Sequence, residues 1–291
     1  MEYGDHEQRA NCSCEETTAI SSWGPDASAG WLANVDFREG VLESFGDVLL
    51  DAARLDAGQR VLEVGSGAGA LARQIASLVG HTGEVVGVDI SPELTGLAAQ
   101  RSVGYGNLSF FCADAQAVVL PERSFDRVIS RFGVMFFTDA MVALRHLHSL
   151  LRSGGSFHAA VWDDVKLNPW ADLVVGVCRR YLELPPRRAQ PTGAFAFSDA
   201  SFFGHLLRAA GFREIESKSC RYEIKVGGAT QSMQEVARAL LPPGLITRMY
   251  TQLQPLAQAA LIGDIADELA RFRSADGVQM FAASHIVSAL A

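Results

Sequence analysis

The chain has 291 residues, 48% hydrophobic and 20% charged, the make-up of a folded domain with room for a substantial insertion. Its formal net charge of −8 and the absence of a dense run of Lys and Arg make it a poor match to a phosphate backbone, and no apolar run approaches the roughly 20 residues that span a bilayer. The five cysteines, Cys12, Cys14, Cys112, Cys178 and Cys220, are odd in number and scattered, so neither a disulfide framework nor a zinc site is expected.

In chain order, residues 1–20 read as a polar tail without the apolar core of a signal peptide, and a cytoplasmic location is expected. From Trp23 to Leu55 the pattern turns helical, with Val41, Phe45, Val48, Leu49 and Ala52 at three-to-four spacing. Arg60 to Val64 is a short apolar strand running into glycines, and Leu71 to Leu78 a helix. "GEVVGVDIS" is a second strand ending at Asp89, and Pro92 sits where helices begin. "LSFFCADAQ" is a third strand through Asp114, "FDRVISRFGVMFF" holds a fourth, and a helix carrying Leu144, Leu147 and Leu151 precedes a fifth, "GGSFHAAVW". Beyond Trp162 come a helix over Asn168–Leu184, a Pro/Arg loop with Arg187-Arg188, a helix over Ala200–Ala210, a strand over Phe212–Val226, mostly helix over 232–273 and a last strand over Gly277–Leu290.

Strands and helices alternate, and the strands are continuous apolar runs. That pattern predicts an α/β fold: a doubly wound, mostly parallel, seven-stranded sheet with helical cap insertions at Lys166–Pro191 and Gln231–Arg273. The division expected is a disordered tail at 1–20, a Rossmann-like core with N-terminal lid helices at 21–165, and cap insertions plus the last strands at 166–291. Ligands of such sheets bind beyond the C-terminal strand ends, so Gly65–Gly69, Asp89, Asp114, Ser130–Phe132 and Trp162–Asp163 matter most.

"VLEVGSGAGALA" fits G-x-G-x-G and also the dinucleotide fingerprint G-x-G-x-x-G/A, with Ala70 last. Asp89, twenty residues past Gly69, suits a ribose diol in either reading. Glu63, inside the strand two residues before Gly65, suits a ligand with a cationic amine and is unwelcome beside a pyrophosphate. A carboxylate at Asp114 can accept from an adenine amino group, or simply cap a helix. No Lys follows the glycines, which excludes a Walker A loop.

"VLEVGSGAGALA", "VVGVDIS", "FCADAQ" and "FDRVISRFGVMFF", in that order, resemble the class I S-adenosylmethionine (SAM)-dependent methyltransferases, in particular the ubiquinone/menaquinone-biosynthesis type and its small-molecule relatives. The resemblance covers Trp23 to Trp162 well and the remainder loosely. It implies SAM as cofactor and S-adenosylhomocysteine (SAH) as product. Gly65, Ser66 and Gly67 then line the methionine and ribose, Asp89 binds the ribose hydroxyls and Ile90 packs on the adenine. Asp114 and Ala115 hold the adenine edge with Gln116 nearby, and Ser130 lies by the amino-acid end. Phe132 and Met135 form the wall toward the methyl group. "WGPDASAGWLAN" resembles the segment that closes over SAM, which makes Trp31 and Asn34 candidates.

A sulfonium is an excellent leaving group, so alignment and exclusion of water supply most of the catalysis, and a base is needed only if the nucleophile must lose a proton. No residue declares itself as that base. His158 reads as a core histidine, His146 and His148 point to different helix faces away from the strand ends, and His205 and His285 have no assigned place. Asp163 is the best placed carboxylate, with a loop-capping role the stronger alternative. Trp162, Trp170, Tyr181, Phe195 and Phe197 make the cap aromatic, so Phe132, Trp162, Asp163 and Trp170 are the candidate substrate residues. The expected activity is methyl transfer to an O, N or C nucleophile of a small apolar molecule, in specialised metabolism, by a monomer or homodimer without nucleic-acid partner, membrane span or metal. A SAM-binding protein with a non-methylating reaction such as a cyclisation, and an NAD-dependent oxidoreductase, stand as alternatives; a protein or nucleic-acid methyltransferase fits the acidic charge and helical cap less well.

Overall fold

The structure, a computed structural model, describes residues 23–185 and 192–291. The predicted tail at 1–20, with Cys12 and Cys14, and the Arg187-Arg188 pair lie outside the described residues.

One mixed sheet organises the molecule. Its strands are β1 (Arg60–Val64), β2 (Glu84–Asp89), β3 (Leu108–Cys112), β4 (Phe125–Arg131), β5 (Leu151–Trp162), β6 (Arg213–Gly228), β7 (Arg273–Ser274) and β8 (Gly277–Leu290), in the order β3-β2-β1-β4-β5-β8-β6. β1 through β5 pair in parallel, whereas β8 is antiparallel to both β5 and β6. The two-residue β7 is an eighth strand beyond the seven expected: it pairs only with the start of β8, closing a hairpin at 273–278.

The parallel centre is apolar because helices cover both of its faces. Val61, Leu62 and Val64 of β1 and Val85, Val86 and Val88 of β2 are buried. β3 departs from the expected continuous run. It stops at Cys112, short of Asp114, and its exposure alternates, with Phe111 41% exposed, because it is the sheet's edge and one of its faces meets solvent.

The described residues form eleven α-helices: α1 (Pro25–Leu32), α2 (Val35–Val41), α3 (Glu43–Ala53), α4 (Ala70–Val79), α5 (Pro92–Arg101), α6 (Ala140–Leu150), α7 (Pro169–Cys178), α8 (Ala200–Ala210), α9 (Met233–Leu240), α10 (Leu245–Thr251) and α11 (Pro255–Ala270). Their caps follow the sequence: Ser91 accepts from the Leu94 amide before Pro92, Asp139 and Asp199 cap α6 and α8, and Ser232 with Glu235 forms a capping box on α9. α7 ends at Cys178 rather than continuing to Leu184. The residue before Pro185 is biased out of the helical region, and Arg179 folds the segment back by donating to the Leu184 and Pro185 carbonyls at 3.3 and 2.8 Å. α7, α9 and α11 pack on one another over the C-terminal strand ends, and α1 meets α10 from the other side.

Candidate functional site

β1 leaves the sheet through three glycines with positive φ: Gly65 (+73°), Gly67 (+53°) and Gly69 (+80°). At Gly65 the requirement is space as well as conformation, because a Cβ there would lie 2.8 Å from the Gly133 Cα. The loop at the end of β1 and the turn at the end of β4 therefore touch backbone to backbone. Ser130 makes that turn. Its hydroxyl donates to the Val64 carbonyl at 2.8 Å and accepts from the Gly133 and Val134 amides, both at 3.2 Å. The next residue but one, Phe132, sits at φ +60°, a left-handed conformation costing on the order of 1–2 kcal/mol for a bulky residue. Its ring stacks on Trp162 at 3.8 Å while Phe45 meets both edge-on, contacts of roughly 1 kcal/mol each that offset the strain.

These strand ends floor a cavity of about 420 Å³, within the usual range for small-molecule sites. It is mostly apolar, and all four tryptophans of the chain, Trp23, Trp31, Trp162 and Trp170, line it. Of the predicted residues, Trp31, Glu63, Gly65, Ser66, Gly67, Asp89, Ile90, Asp114, Ala115, Gln116, Phe132, Met135, Trp162 and Trp170 are brought together on its wall.

Ser130 and Asp163 are not. Ser130 is fully buried and its hydroxyl is consumed by the turn, so it shapes the site from beneath instead of meeting a ligand. Asp163 faces the β8 side. One carboxylate oxygen accepts from the Asp164 amide at 2.7 Å and pairs with His285 Nε2 at 3.1 Å, and the other accepts from the Ser219 hydroxyl at 3.0 Å. Antiparallel β8 brings His285 there, which no local pattern announces. Asn34 lies between α1 and α2, off the cavity wall.

Glu63 is 2% exposed and its Oε2 has no hydrogen-bond partner among the described residues. Burial pushes its carboxyl up to about 8, moderated by Arg131 and reinforced by Asp89 and Glu39. Asp89 is tied to the loop: Oδ2 accepts from the Gly67 amide at 2.8 Å and Oδ1 from the Ser91 amide at 2.9 Å. Burial raises its pKa too, against these amide bonds. Asp114 is held by Gln116, whose amide also bridges to Thr138 and the Asp139 backbone, fixing the end of β3 against the start of α6. Ile90 is 40% exposed, an apolar shelf at the rim.

Arg38, Phe37, Phe136, Ile224, Val226, Leu240, Pro242 and Pro243 also line the cavity without having been expected there, as does Arg131, expected only as part of the Ser130–Phe132 strand end. Arg131 had a signal: it is a charge at the end of a buried parallel strand. Arg38 had none, since only folding carries α2 over the sheet. His158 is held between Ser156 and Ser288 at 2.8 and 2.9 Å and lies off the cavity, and burial lowers it to about 4. His146 and His148 face Val118 and Phe212, behind the sheet.

Residues 61–155 match the protein family described as a methyltransferase domain. The ubiquinone/menaquinone biosynthesis C-methyltransferase UbiE of Coxiella burnetii is 34% identical over 119 residues, covering 40% of this chain and 48% of that protein. The chain thus spans about half the length of the curated relatives it matches. Among solved structures, the YcgJ protein of Bacillus subtilis superposes with a TM-score of 0.54 at 16% identity, covering 84% of this chain and 97% of that one. The [4+2]-cyclase SpnF superposes at 0.51 and 20% identity, covering 85% and 80%. The sheet order and the glycine loop agree with the domain match: residues 61–155 are similar to a methyltransferase domain, and the fold is that of SAM-dependent methyltransferase structures.

Proposed function

We propose that this protein is a SAM-dependent methyltransferase whose acceptor is a small, largely apolar molecule. The observation that carries the reading is Glu63, a buried carboxyl with an unpartnered oxygen on the wall of the cavity beside Gly65 and Gly67. Such a group costs stability unless a cation meets it, and the amino-acid end of SAM carries one. Arg131, two residues beyond the β1–β4 pairing and electrostatically coupled to Glu63, is the complementary partner for the adjoining carboxylate. Gly65, Ser66 and Gly67 would hold the methionine and ribose, Asp89 the ribose hydroxyls, Ile90 the adenine face and Asp114 with Ala115 and Gln116 the adenine edge. Trp31 would close over the top. A pyrophosphate at the glycine loop would face Glu63, which disfavours NAD.

SAM supplies an activated methyl group. The chain's part is to orient and to exclude water: Phe132, Met135, Trp162 and Trp170 give an apolar wall, and the Phe132 backbone is locked by the Gly65–Gly133 contact. No histidine lines the cavity among the described residues, so no base is assigned. That same observation keeps a second reading, a SAM-dependent but non-methylating reaction. A place in specialised metabolism is supported by the roof, which lies beyond the matched domain and is built for an apolar guest.

Calorimetry with SAM, SAH and NAD tests the cofactor. Micromolar binding of SAM and SAH, no binding of NAD and at least a tenfold loss in Asp89→Ala are expected; absence of SAM binding overturns the reading. A product heavier by one methyl group, with SAH released, separates methylation from the non-methylating alternative.

A further inference from the structure

Among the described residues, Arg38 is a largely buried cation without a counter-ion. Its guanidinium lies over the Trp31 ring at 5.2 Å and donates once, from Nη2 to the Ala239 carbonyl at 3.2 Å. Its Nε–H is buried and has no hydrogen-bond partner among the described residues, and the residue lines the cavity. Its chain neighbour Glu39 is engaged elsewhere, with Arg101 at 3.3 Å. Burial alone, with no carboxylate compensating, lowers Arg38 to about 10.

Arg131 offers the contrast. It is also buried, but Glu63, Glu39, Asp47 and Glu43 all act on it favourably, and it springs from the sheet beside Glu63. The ammonium and carboxylate of the proposed cofactor's amino-acid end are thus both accounted for at the floor. Arg38 is a surplus cation on the roof, where α2 meets the end of α9 amid Trp31, Leu240 and Pro242.

We infer that the acceptor is an acid, an aromatic or apolar body bearing a carboxylate or comparable anion, and that Arg38 receives that anion. This rests on the methyltransferase reading of the same cavity. The guanidinium fork suits a planar carboxylate, and an oxygen placed at Nε satisfies the orphaned donor. The Trp31 ring covers the guanidinium, while the remaining aromatic wall takes the body of the acid.

The test uses 2-naphthoate and its uncharged isostere 2-naphthamide, read by quenching of the tryptophan fluorescence, since every tryptophan lines the cavity. Both probes are titrated with and without saturating SAH. Wild type is expected to bind the naphthoate at least tenfold more tightly than the amide. Arg38→Gln should erase that preference and leave SAH affinity within threefold. Arg38→Lys, which keeps charge but loses Nε and the planar fork, should reduce the preference at least threefold and serves if the glutamine variant does not fold. Equal binding of the two probes by wild type, or a preference that survives both substitutions, overturns the inference. So does a tenfold loss of SAH affinity in Arg38→Gln, which would give Arg38 to the cofactor's own carboxylate. Failure of wild type to bind SAH at all would refute the methyltransferase reading, while the probe titration without SAH still decides whether Arg38 selects an anion.

Discussion

Floor and roof of the cavity are assembled in different ways. Glu63, Asp89 and Asp114 stand at or just past the ends of three neighbouring parallel strands, each delivered by the same strand-to-helix geometry. The roof is assembled from helices far apart in the chain: Arg38 of α2 hydrogen-bonds Ala239 of α9, 201 positions away. The floor is polar, backbone-tied and crowded to the point that a single Cβ at Gly65 has no room. The roof is aromatic, with Trp23–Trp31, Trp162–Trp170 and Trp170–Phe195 contacts at 5.5, 5.1 and 6.4 Å. A backbone-built floor specifies one ligand narrowly, whereas a side-chain-built roof can change its guest by substitution. Under the proposed function, cofactor and acceptor would be chosen by separable parts of this molecule.

The hardest blow to that division is aimed at the floor. Gly65→Val places a side chain 2.8 Å from the Gly133 Cα at φ +73°, and should cost roughly 3 kcal/mol, or about 10 °C in thermal midpoint, and abolish SAH binding. A variant with wild-type melting and SAH affinity would show that the floor is not crowded as described.

Glu63→Gln should weaken SAM about 10- to 100-fold in calorimetry without destabilising the free protein, because it removes the carboxylate that would meet the cofactor's ammonium and replaces a carboxyl that is protonated below pH 8 with a neutral group of the same shape. The folded pKa of Glu63, about 8, lies above its unfolded value of 4.5, so the folded state holds the extra proton between those values. That stabilisation is full below pH 4.5 and is lost as pH rises through 8, by at most about 1.4 kcal/mol per pH unit. Denaturant melts between pH 6.5 and 8 should show the decline in wild type and a flatter profile in the variant; identical slopes would remove Glu63 from the account.

On the roof, Trp170→Ala deletes the ring contacts to Trp162 and Phe195 and the Nε1–H bond to Asn168 at 3.0 Å. It should raise the acceptor KM about tenfold and cost about 2 kcal/mol while SAH binding stays within twofold. Loss of SAH binding there would collapse the distinction between the two halves.

The smallest effect is expected outside both. His158→Gln should leave turnover within twofold. The folded pKa of His158, about 4, lies below its unfolded 6.5, so its share of stability is present above pH 6.5 and is lost as pH falls toward 4. The variant should melt less steeply with acid over that window. A large loss of turnover would mean that His158 reaches the reaction after all.

The floor was legible because its chemistry is local. Glu63, the glycines and Asp89 fall within 27 consecutive residues, and the apolar strand before each carboxylate announces where it will point. The alternation of strand and helix likewise implied the parallel core. Ser130 and Asp163 were misplaced for a shared reason: both end strands as expected, but direction depends on hydrogen bonds made across the sheet, to Val64 in one case and to Ser219 and His285 in the other.

By itself the sequence therefore determined the doubly wound core, its glycine turn and the carboxylates of the floor, since a few residues' spacing decides a strand, a turn and a cap. Only the tertiary structure decided that β8 runs antiparallel and carries His285 to Asp163, that four tryptophans converge on one cavity, and that Arg38 is stranded without a counter-ion over it. Those facts depend on which distant surfaces meet, and burial and charge pairing are properties of the meeting, not of either segment alone.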